Sequence, residues 1–159
     1  MTGSPGSAAE SFSVLRSRLN GLALPGGTFH VAGHERWLSH EAMQSPAVEA
    51  PFLHPVWILL GGLRGMGLTL EALMDLARPG PGDTTLLGET EVEQHVPLRA
   101  DVDYTVTGSV AGLTRKKGQR SGTLDIMTVR LEISEPVSGE LVAASRQAFL
   151  ITRRADAGS

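Results

Sequence analysis

The spacing of apolar residues changes part-way along the chain. Between Pro55 and Ala77 apolar residues recur three and four positions apart, the period of one helical face. The first half of this segment is apolar on nearly all sides, so it should be buried. Pro55 suits the first turn, where a missing N–H has no partner to lose, and the run RPGPG ends the segment. We therefore predict a long buried helix over residues 55–77.

Glycines at positions 61, 62, 65 and 67 interrupt this apolar segment. Glycine weakens an isolated helix, because it loses more backbone freedom on folding than other residues do. Two explanations fit the pattern. Either another backbone packs tightly against the helix, or the helix breaks near Met66 and Gly67.

Beyond this segment, apolar and polar residues alternate, which is typical of strands with one buried face. Pro97 and the runs RKKGQRSG and EPVSGE mark turns between the segments. The predicted strands cover residues 28–32, 85–94, 103–113, 124–133 and 141–151. A short helix is predicted near 35–43. A strand, a long buried helix and an antiparallel meander together predict the α+β class, with the helix covering one face of the sheet.

The length of 159 residues favours one domain with a single core. We assign residues 28–153 to that domain and residues 154–159 to a disordered tail. Residues 1–27 are predicted to be a flexible N-terminal arm. Within this arm, the apolar spacing between Val14 and Leu22 also allows a short helix that packs on the domain.

Composition narrows the classes of function. The net charge of −3 provides no broad basic field for nucleic acid or anionic lipid. The absence of cysteine excludes disulfides, zinc–thiolate sites and cysteine nucleophiles, and it fits a reducing cytoplasm. The longest apolar run, residues 56–63, is too short to span a membrane, and the first ten residues do not resemble a secretory signal. We predict a cytoplasmic protein with no cofactor and no nucleic-acid or membrane partner.

Three stretches resemble the MaoC-like hydratases and dehydratases, which have the hotdog fold. PFLHPVWILLGGLRGMGL is similar to their segment of proline, apolar pair, histidine and helix. VPLRADVDYTVTGSVAGLTRKKGQRSG is similar to a strand of that family that follows a proline. LDIMTVRLEISEPVSGELVAASRQAFLITR is similar to its two closing strands. The resemblance covers residues 28–153.

The resemblance implies a long central helix wrapped by an antiparallel sheet. It also implies that two domains pair, so that their sheets join and their central helices lie side by side. A thioester-linked acyl chain on coenzyme A or acyl carrier protein then enters between the subunits. The implied activity is that of a hydro-lyase on 3-hydroxyacyl or 2-enoyl thioesters. The implied partner is either a second copy or a different hotdog chain.

Dehydration of a 3-hydroxyacyl thioester needs a base, an acid and a hydrogen bond to the thioester oxygen. In the family an aspartate and a histidine five positions apart act on the acyl group. Glu35 and His40 match that spacing, with glutamate in place of aspartate and no Asn-Pro between them. His54 matches a histidine that precedes the central helix, and a backbone N–H at this helix start is a candidate donor to the oxygen. We predict catalytic roles for Glu35, His40 and His54.

Each of these histidines also has a simpler interpretation. The stretch that contains Glu35 and His40 fits an exposed amphipathic turn, and His54 fits a helix-start residue bonded to a backbone group. Trp57, Arg64, Gly65 and Met66 are predicted to line the acyl site, with core packing as the alternative. No metal site is predicted, because HERWL is not the HExxH pattern.

Arg115, Lys116, Lys117 and Arg120 form a basic run that either meets phosphates of the acyl carrier or is a solvated hairpin tip. The imperfect match to the family's catalytic pair keeps other functions open. They are a non-catalytic partner subunit, a hotdog thioesterase and an acyl-binding or structural dimer.

Overall fold

The computed structural model describes residues 11–44, 49–118 and 122–154. These residues form four α-helices and five β-strands. In chain order they are α1 (Phe12–Leu19), β1 (Gly27–Phe29), α2 (Gly33–Met43), α3 (Val56–Gly65), α4 (Leu70–Asp75), β2 (Thr84–Gln94), β3 (Tyr104–Gly118), β4 (Gly122–Ser134) and β5 (Leu141–Arg153). None of the described helices is long and apolar enough to cross a membrane.

The strands form one antiparallel sheet in the order β1-β3-β4-β5-β2. The three longest strands, β3, β4 and β5, form its middle, and consecutive strands among them are neighbours in the sheet. Helix α3 lies on one face of the sheet and contacts all five strands. The prediction of an α+β fold, with a central helix against an antiparallel sheet, is confirmed.

The prediction of one continuous helix over residues 55–77 is wrong. Helix α3 ends at Gly65, and α4 begins at Leu70 after Thr69, whose side chain caps it by accepting the Ala72 N–H at 3.0 Å. Between them Gly67 has a φ of +85°, in the left-handed region that glycine adopts at no steric cost. The helix therefore breaks near Met66 and Gly67, which was one of the two explanations for the glycines.

The other explanation, close packing, holds within α3 itself. A Cβ on Gly61 would lie 2.5 Å from the Phe29 ring, and one on Gly65 would lie 2.5 Å from a methyl of Val106. A Cβ on Gly27 of β1 would in turn lie 2.9 Å from the Gly65 carbonyl oxygen. The glycines thus let α3 approach β1 and β3 more closely than side chains would allow.

Two apolar clusters fill the space between helices and sheet. The first joins α1 and α4 to the sheet and includes Leu15, Leu19, Leu73, Val129 and Ile151. The second surrounds the start of α3 and includes Phe29, Trp57, Ile58, Tyr104 and Ile133. Within the predicted arm, α1 packs on the domain, because its Leu15 and Leu19 are buried. The last residue of the arm, Gly27, begins β1. Residues 1–10 and 155–159, which include most of the predicted tail, lie outside the described residues.

A buried ionic group ties β3, β4 and β5 together near the β3–β4 hairpin. The carboxylate of Asp125 is fully buried and accepts hydrogen bonds from Arg115 Nε at 2.7 Å and from Arg153 Nε at 2.8 Å. Arg153 also donates to the carbonyl oxygen of Ala77, just after α4. Burial raises the pKa of Asp125, but hydrogen bonds and charge from the two arginines outweigh it and leave that pKa lowered. We call these three residues, Asp125, Arg115 and Arg153, the Asp125 cluster.

Candidate functional site

Helix α2 lies across the segment that leads into α3. Two hydrogen bonds hold it there, and a third, within α2, orients the Ser39 hydroxyl. Arg36 donates through Nε to the carbonyl oxygen of Phe52, Trp57 donates through Nε1 to Ser39 Oγ at 3.3 Å, and Ser39 Oγ donates to the Arg36 carbonyl at 2.7 Å. Arg36, Ser39 and His40 fall on one side of α2, as residues three and four apart do on a helix. This side faces the start of α3.

His40 meets His54 at this contact. Their ring centroids are 6.1 Å apart, and the rings stand edge to face at 73°. His40 is only 9% exposed, and neither of its ring nitrogens has a hydrogen-bond partner among the described residues. An unpaired buried polar group costs free energy, so such a group calls for a specific explanation. We call His40 and His54 the histidine pair.

His54 is fixed by the backbone of the helix that it precedes. Its Nδ1 accepts the Val56 N–H at 3.0 Å. Since Nδ1 is an acceptor, the neutral ring carries its proton on Nε2 and can donate it there. The interpretation of His54 as a helix-start residue bonded to a backbone group is confirmed. Its catalytic role stays a prediction.

The first turn of α3 does not offer a free backbone donor. Val56 N–H is bound by His54, while Trp57 N–H donates to the His54 carbonyl and Ile58 N–H to that of Pro55, each at 3.0 Å. The predicted use of a backbone N–H at this helix start to bind the thioester oxygen therefore does not fit. The Nε2–H of His54 is the donor that remains at this place.

Glu35 has a different partner from the one its spacing suggested. Its carboxylate accepts a hydrogen bond from Arg64 at 3.1 Å, an ion pair between α2 and α3. Residues five apart on a helix lie about 140° apart around its axis, so Glu35 and His40 point to different sides of α2. The structure brings His40 to His54 and Glu35 to Arg64. The role predicted for Glu35 stays a prediction without a supporting contact.

The four predicted acyl-site residues divide into two groups. Trp57 bonds to Ser39, the neighbour of His40, whereas Arg64 pairs with Glu35 and places its guanidinium 5.1 Å from the Trp57 ring centroid. Gly65 packs against Val106, and Met66 is buried in the first apolar cluster. Core packing, the alternative interpretation, accounts for Gly65 and Met66.

Two polar pairs near α3 were not predicted from the sequence to belong to the catalytic site. His30 Nδ1 lies 3.0 Å from an oxygen of Asp103, at the exposed junction of β1 and α2. Beneath α3, the buried Gln147 donates to Ser145 Oγ at 2.8 Å, and its Oε1 has no partner within the described segments. Both pairs join positions whose spacing resembles no catalytic motif. For Gln147 the available signal was a polar residue on the apolar face of a strand.

The described part of the basic run, Arg115, Lys116 and Lys117, lies far from the histidine pair. Arg115 belongs to the Asp125 cluster and its guanidinium lies 4.3 Å from the Phe12 ring centroid. Strand β3 extends from Tyr104, beside β1, to Gly118, a distance on the order of 45 Å along the strand. The structure therefore does not bring this run to the start of α3, and Arg120 lies outside the described residues. No group of three or more histidines and carboxylates suited to a metal ion occurs in the described ranges.

Comparison with known proteins identifies the fold. No family model matches the chain, and no curated protein matches it by sequence. Solved structures do match. The ChsH1–ChsH2 complex from Mycobacterium tuberculosis is similar with a TM-score of 0.65 and 14% identity, over 92% of this chain and 90% of the matched chain.

Two further similar structures point the same way. The HadBC (3R)-hydroxyacyl-ACP dehydratase complex from Mycobacterium tuberculosis has a TM-score of 0.59 and 14% identity, over 83% of this chain and 96% of the matched one. A MaoC-like dehydratase from Rhodospirillum rubrum has a TM-score of 0.56 and 15% identity, over 86% and 94%. The chain has the hotdog fold, and the resemblance to MaoC-like proteins is confirmed at the level of that fold.

Proposed function

We propose that the chain is a hydro-lyase acting on 3-hydroxyacyl or 2-enoyl thioesters carried by coenzyme A or acyl carrier protein. The observation that carries the proposal is the histidine pair. One imidazole presents a defined Nε2–H, and the other is buried with both nitrogens unpaired among the described residues. Hotdog structures with similar folds include proteins described as dehydratases, which makes this chemistry the one to test.

The pair can supply the three functions that the reaction needs. In the direction of dehydration, His40 in its neutral form removes the proton next to the thioester carbonyl. The Nε2–H of His54 donates to the thioester oxygen, where negative charge develops. The protonated His40 then gives its proton to the departing hydroxyl group, so that the C–O bond breaks, the double bond forms and water leaves. Hydration is the reverse sequence.

We further propose that the working unit contains two hotdog chains joined at the edge strand β2. Two of the similar structures are complexes of named pairs, HadBC and ChsH1–ChsH2. In this chain, Leu87 and Val92 of β2 are each 47% exposed, and Leu60 of α3 is 44% exposed. A second chain at this edge would cover these side chains and place its own helix beside α3.

The alternative is a non-catalytic partner subunit that supplies one wall of the acyl site. The observation that favours it is the engagement of Glu35 by Arg64, which leaves the histidine pair without a carboxylate contact in the described chain. A third candidate, a thioesterase, would need an activating carboxylate beside the pair, and the described residues place none there. Location in the cytoplasm stays a prediction.

Hydration of a short 2-enoyl thioester by the purified chain tests the proposal. We expect His40→Gln to lower kcat by about 100-fold to 10,000-fold, the usual contribution of a general base. His54→Asn keeps a side-chain acceptor for the Val56 N–H but removes Nε2–H, so it should lower activity without unfolding the start of α3. His34→Gln changes an exposed histidine of the same helix and is the control.

The outcomes separate the candidates. Full activity in His40→Gln would contradict the proposed chemistry. An inactive chain that gains activity when a second hotdog chain is added, and keeps it after His40→Gln, would identify the partner subunit. Release of free thiol from the thioester would indicate hydrolysis instead.

A further inference from the structure

Strand β2 is a long edge of the sheet, and no strand of the described chain pairs with its outer side. It forms a ladder with β5 on one side only, over residues 84–94, and all but one of its residues are exposed. It contains no proline, and its Leu86 and Leu87 are 58% and 47% exposed. Proteins usually shorten, bend or cover such an edge, because its free N–H and C=O groups pair readily with another strand. The opposite edge, β1, has only three residues.

The two faces of β2 differ in charge. Glu89, Glu91 and Glu93 lie opposite Ala148, Arg146 and Ala144 of β5. The residues between these glutamates, Thr90 and Val92, lie opposite Gln147 and Ser145. Because Ser145 faces α3, where its Oγ would lie 3.6 Å from a Cβ on Gly62, Thr90 and Val92 share the helix side. The three glutamates therefore form a row on the outer face of the sheet, which we call the β2 acidic row.

The other charges on this face neutralise the row only in part. Glu93 lies 3.8 Å from Arg130 and 3.7 Å from His95. Arg130 is shared, since it also pairs with Glu132 at 3.1 Å. Glu89 and Glu91 form no ion pair within the described ranges, although Arg146 is the cross-strand neighbour of Glu91. The outer face of β2 is thus negatively charged. The arginines on the same face of the sheet, Arg146 and Arg130, lie on β5 and β4.

This row has a direct consequence for pairing. When two copies of one strand pair antiparallel about a two-fold axis, directly opposite residues lie on the same face. With the axis at Glu91, the strand sets Glu89 opposite the second copy's Glu93 and Glu91 opposite itself. Like charges directly opposite each other destabilise an antiparallel pair, whereas opposite charges stabilise it.

We propose that the β2 acidic row selects a different hotdog chain, one whose edge strand carries lysine or arginine at the facing positions, over a second copy of this chain. The inference rests on the pairing through β2 proposed above. It adds the chemistry of the partner. The apolar residues of β2 favour pairing in general, and the charges decide which chain is accepted.

A charge-reversed version of the same chain tests this without knowledge of the natural partner. The variant E89K/E91K/E93K presents the basic row that the proposal requires. We expect sedimentation velocity at low salt to show weak self-association of the wild-type chain and of the variant. An equimolar mixture should form a heterodimer at least about tenfold tighter, since each repulsive cross-strand pair is replaced by an attractive one. High salt should weaken the mixture and strengthen the wild-type homodimer.

Two further variants control for folding and for net charge. E89Q/E91Q/E93Q removes the repulsion without adding positive charge, so it should self-associate more tightly than the wild type. E41K/E49K/E140K makes the same change in net charge at exposed positions outside β2, so it should not pair preferentially with the wild type. Circular dichroism checks that each variant folds.

A wild-type homodimer that responds neither to salt nor to the glutamine variant would overturn the proposal. So would a mixture no tighter than its components. Hydration activity measured on the same samples reports on the histidine pair separately. Failure of the charge selection is therefore distinguishable from failure of the proposed chemistry.

Discussion

The histidine pair and the Asp125 cluster both bury polar side chains against the same sheet, but they differ in how those groups are satisfied. The Asp125 carboxylate accepts three hydrogen bonds from two arginines. His40 is nearly as buried, yet its ring nitrogens have no partner within the described residues. Asp125 lies near the start of β4 and Ile133 near its end, on the order of 25 Å apart along the strand. We infer that the satisfied cluster stabilises the fold, whereas the unsatisfied pair serves binding and chemistry.

The largest expected effect is on the Asp125 cluster. Asp125→Ala leaves Arg115 and Arg153 without their shared carboxylate in a largely buried place. We expect the free energy of unfolding to fall by about 3–5 kcal/mol, as for other broken buried ion pairs. Urea denaturation measures the change. Glu132→Gln, which breaks the partly exposed pair with Arg130, should cost no more than about 1 kcal/mol. Equal costs for both variants would contradict the structural role of the cluster.

The same cluster should make stability depend on pH. The pKa of Asp125 is lowered in the folded protein from its ordinary value of 3.8, so the folded state favours the ionised form. The resulting stabilisation is complete above the unfolded pKa and is lost as the pH falls through the folded one. We expect the stability difference between wild type and Asp125→Asn to narrow below about pH 4. A difference that stays constant down to pH 2 would contradict this assignment.

A smaller effect tests the close packing of α3 against β1. A methyl group at Gly61 would meet the Phe29 ring at 2.5 Å and push α3 away from the sheet. We expect Gly61→Ala to destabilise the protein by about 1–3 kcal/mol, as overpacking does. Gly33→Ala is the matched control, because its nearest neighbour would be an Asp101 oxygen at 3.5 Å. The midpoints of thermal unfolding of both variants measure the effect. Equal midpoints would show that α3 can shift to accommodate the added methyl group.

The smallest effect on stability, and the one of opposite sign, belongs to His40. His40→Leu replaces a buried group that lacks hydrogen bonds with an apolar one of similar size. We expect the free energy of unfolding to stay unchanged or to rise by up to about 1 kcal/mol. Chemical denaturation measures it, with Asp125→Leu as the counterpart that should lose several kcal/mol. A large loss of stability in His40→Leu would mean that this histidine is structural.

Much of the fold was predictable because the apolar period changes from helical to alternating along the chain. The break after α3 was less predictable. The glycines fitted both a break and a close neighbour, and the structure uses them for both at different positions. Gly67 takes the left-handed conformation, whereas Gly61 and Gly65 face Phe29 and Val106.

His40 and His54 were singled out from the sequence, but their contact with each other was not predicted. Glu35 and His40 were predicted to act together because they are five positions apart in the sequence. The helical conformation of α2 directs their side chains to different sides. The contact between His40 and His54 depends on how α2 docks on the segment before α3, which no local pattern encodes. The Asp125 cluster was missed for a related reason. Its partners lie 10 and 28 residues away, and Arg115 was read as part of a basic run.

The most direct test of the central claim measures stability and hydration activity together in His40→Leu. If the unpaired imidazole is retained for chemistry, the variant folds at least as stably as the wild type while its hydration of a 2-enoyl thioester falls by about 100-fold or more. If instead the variant loses stability and keeps its activity, His40 is a structural residue and the proposed hydro-lyase site is wrong.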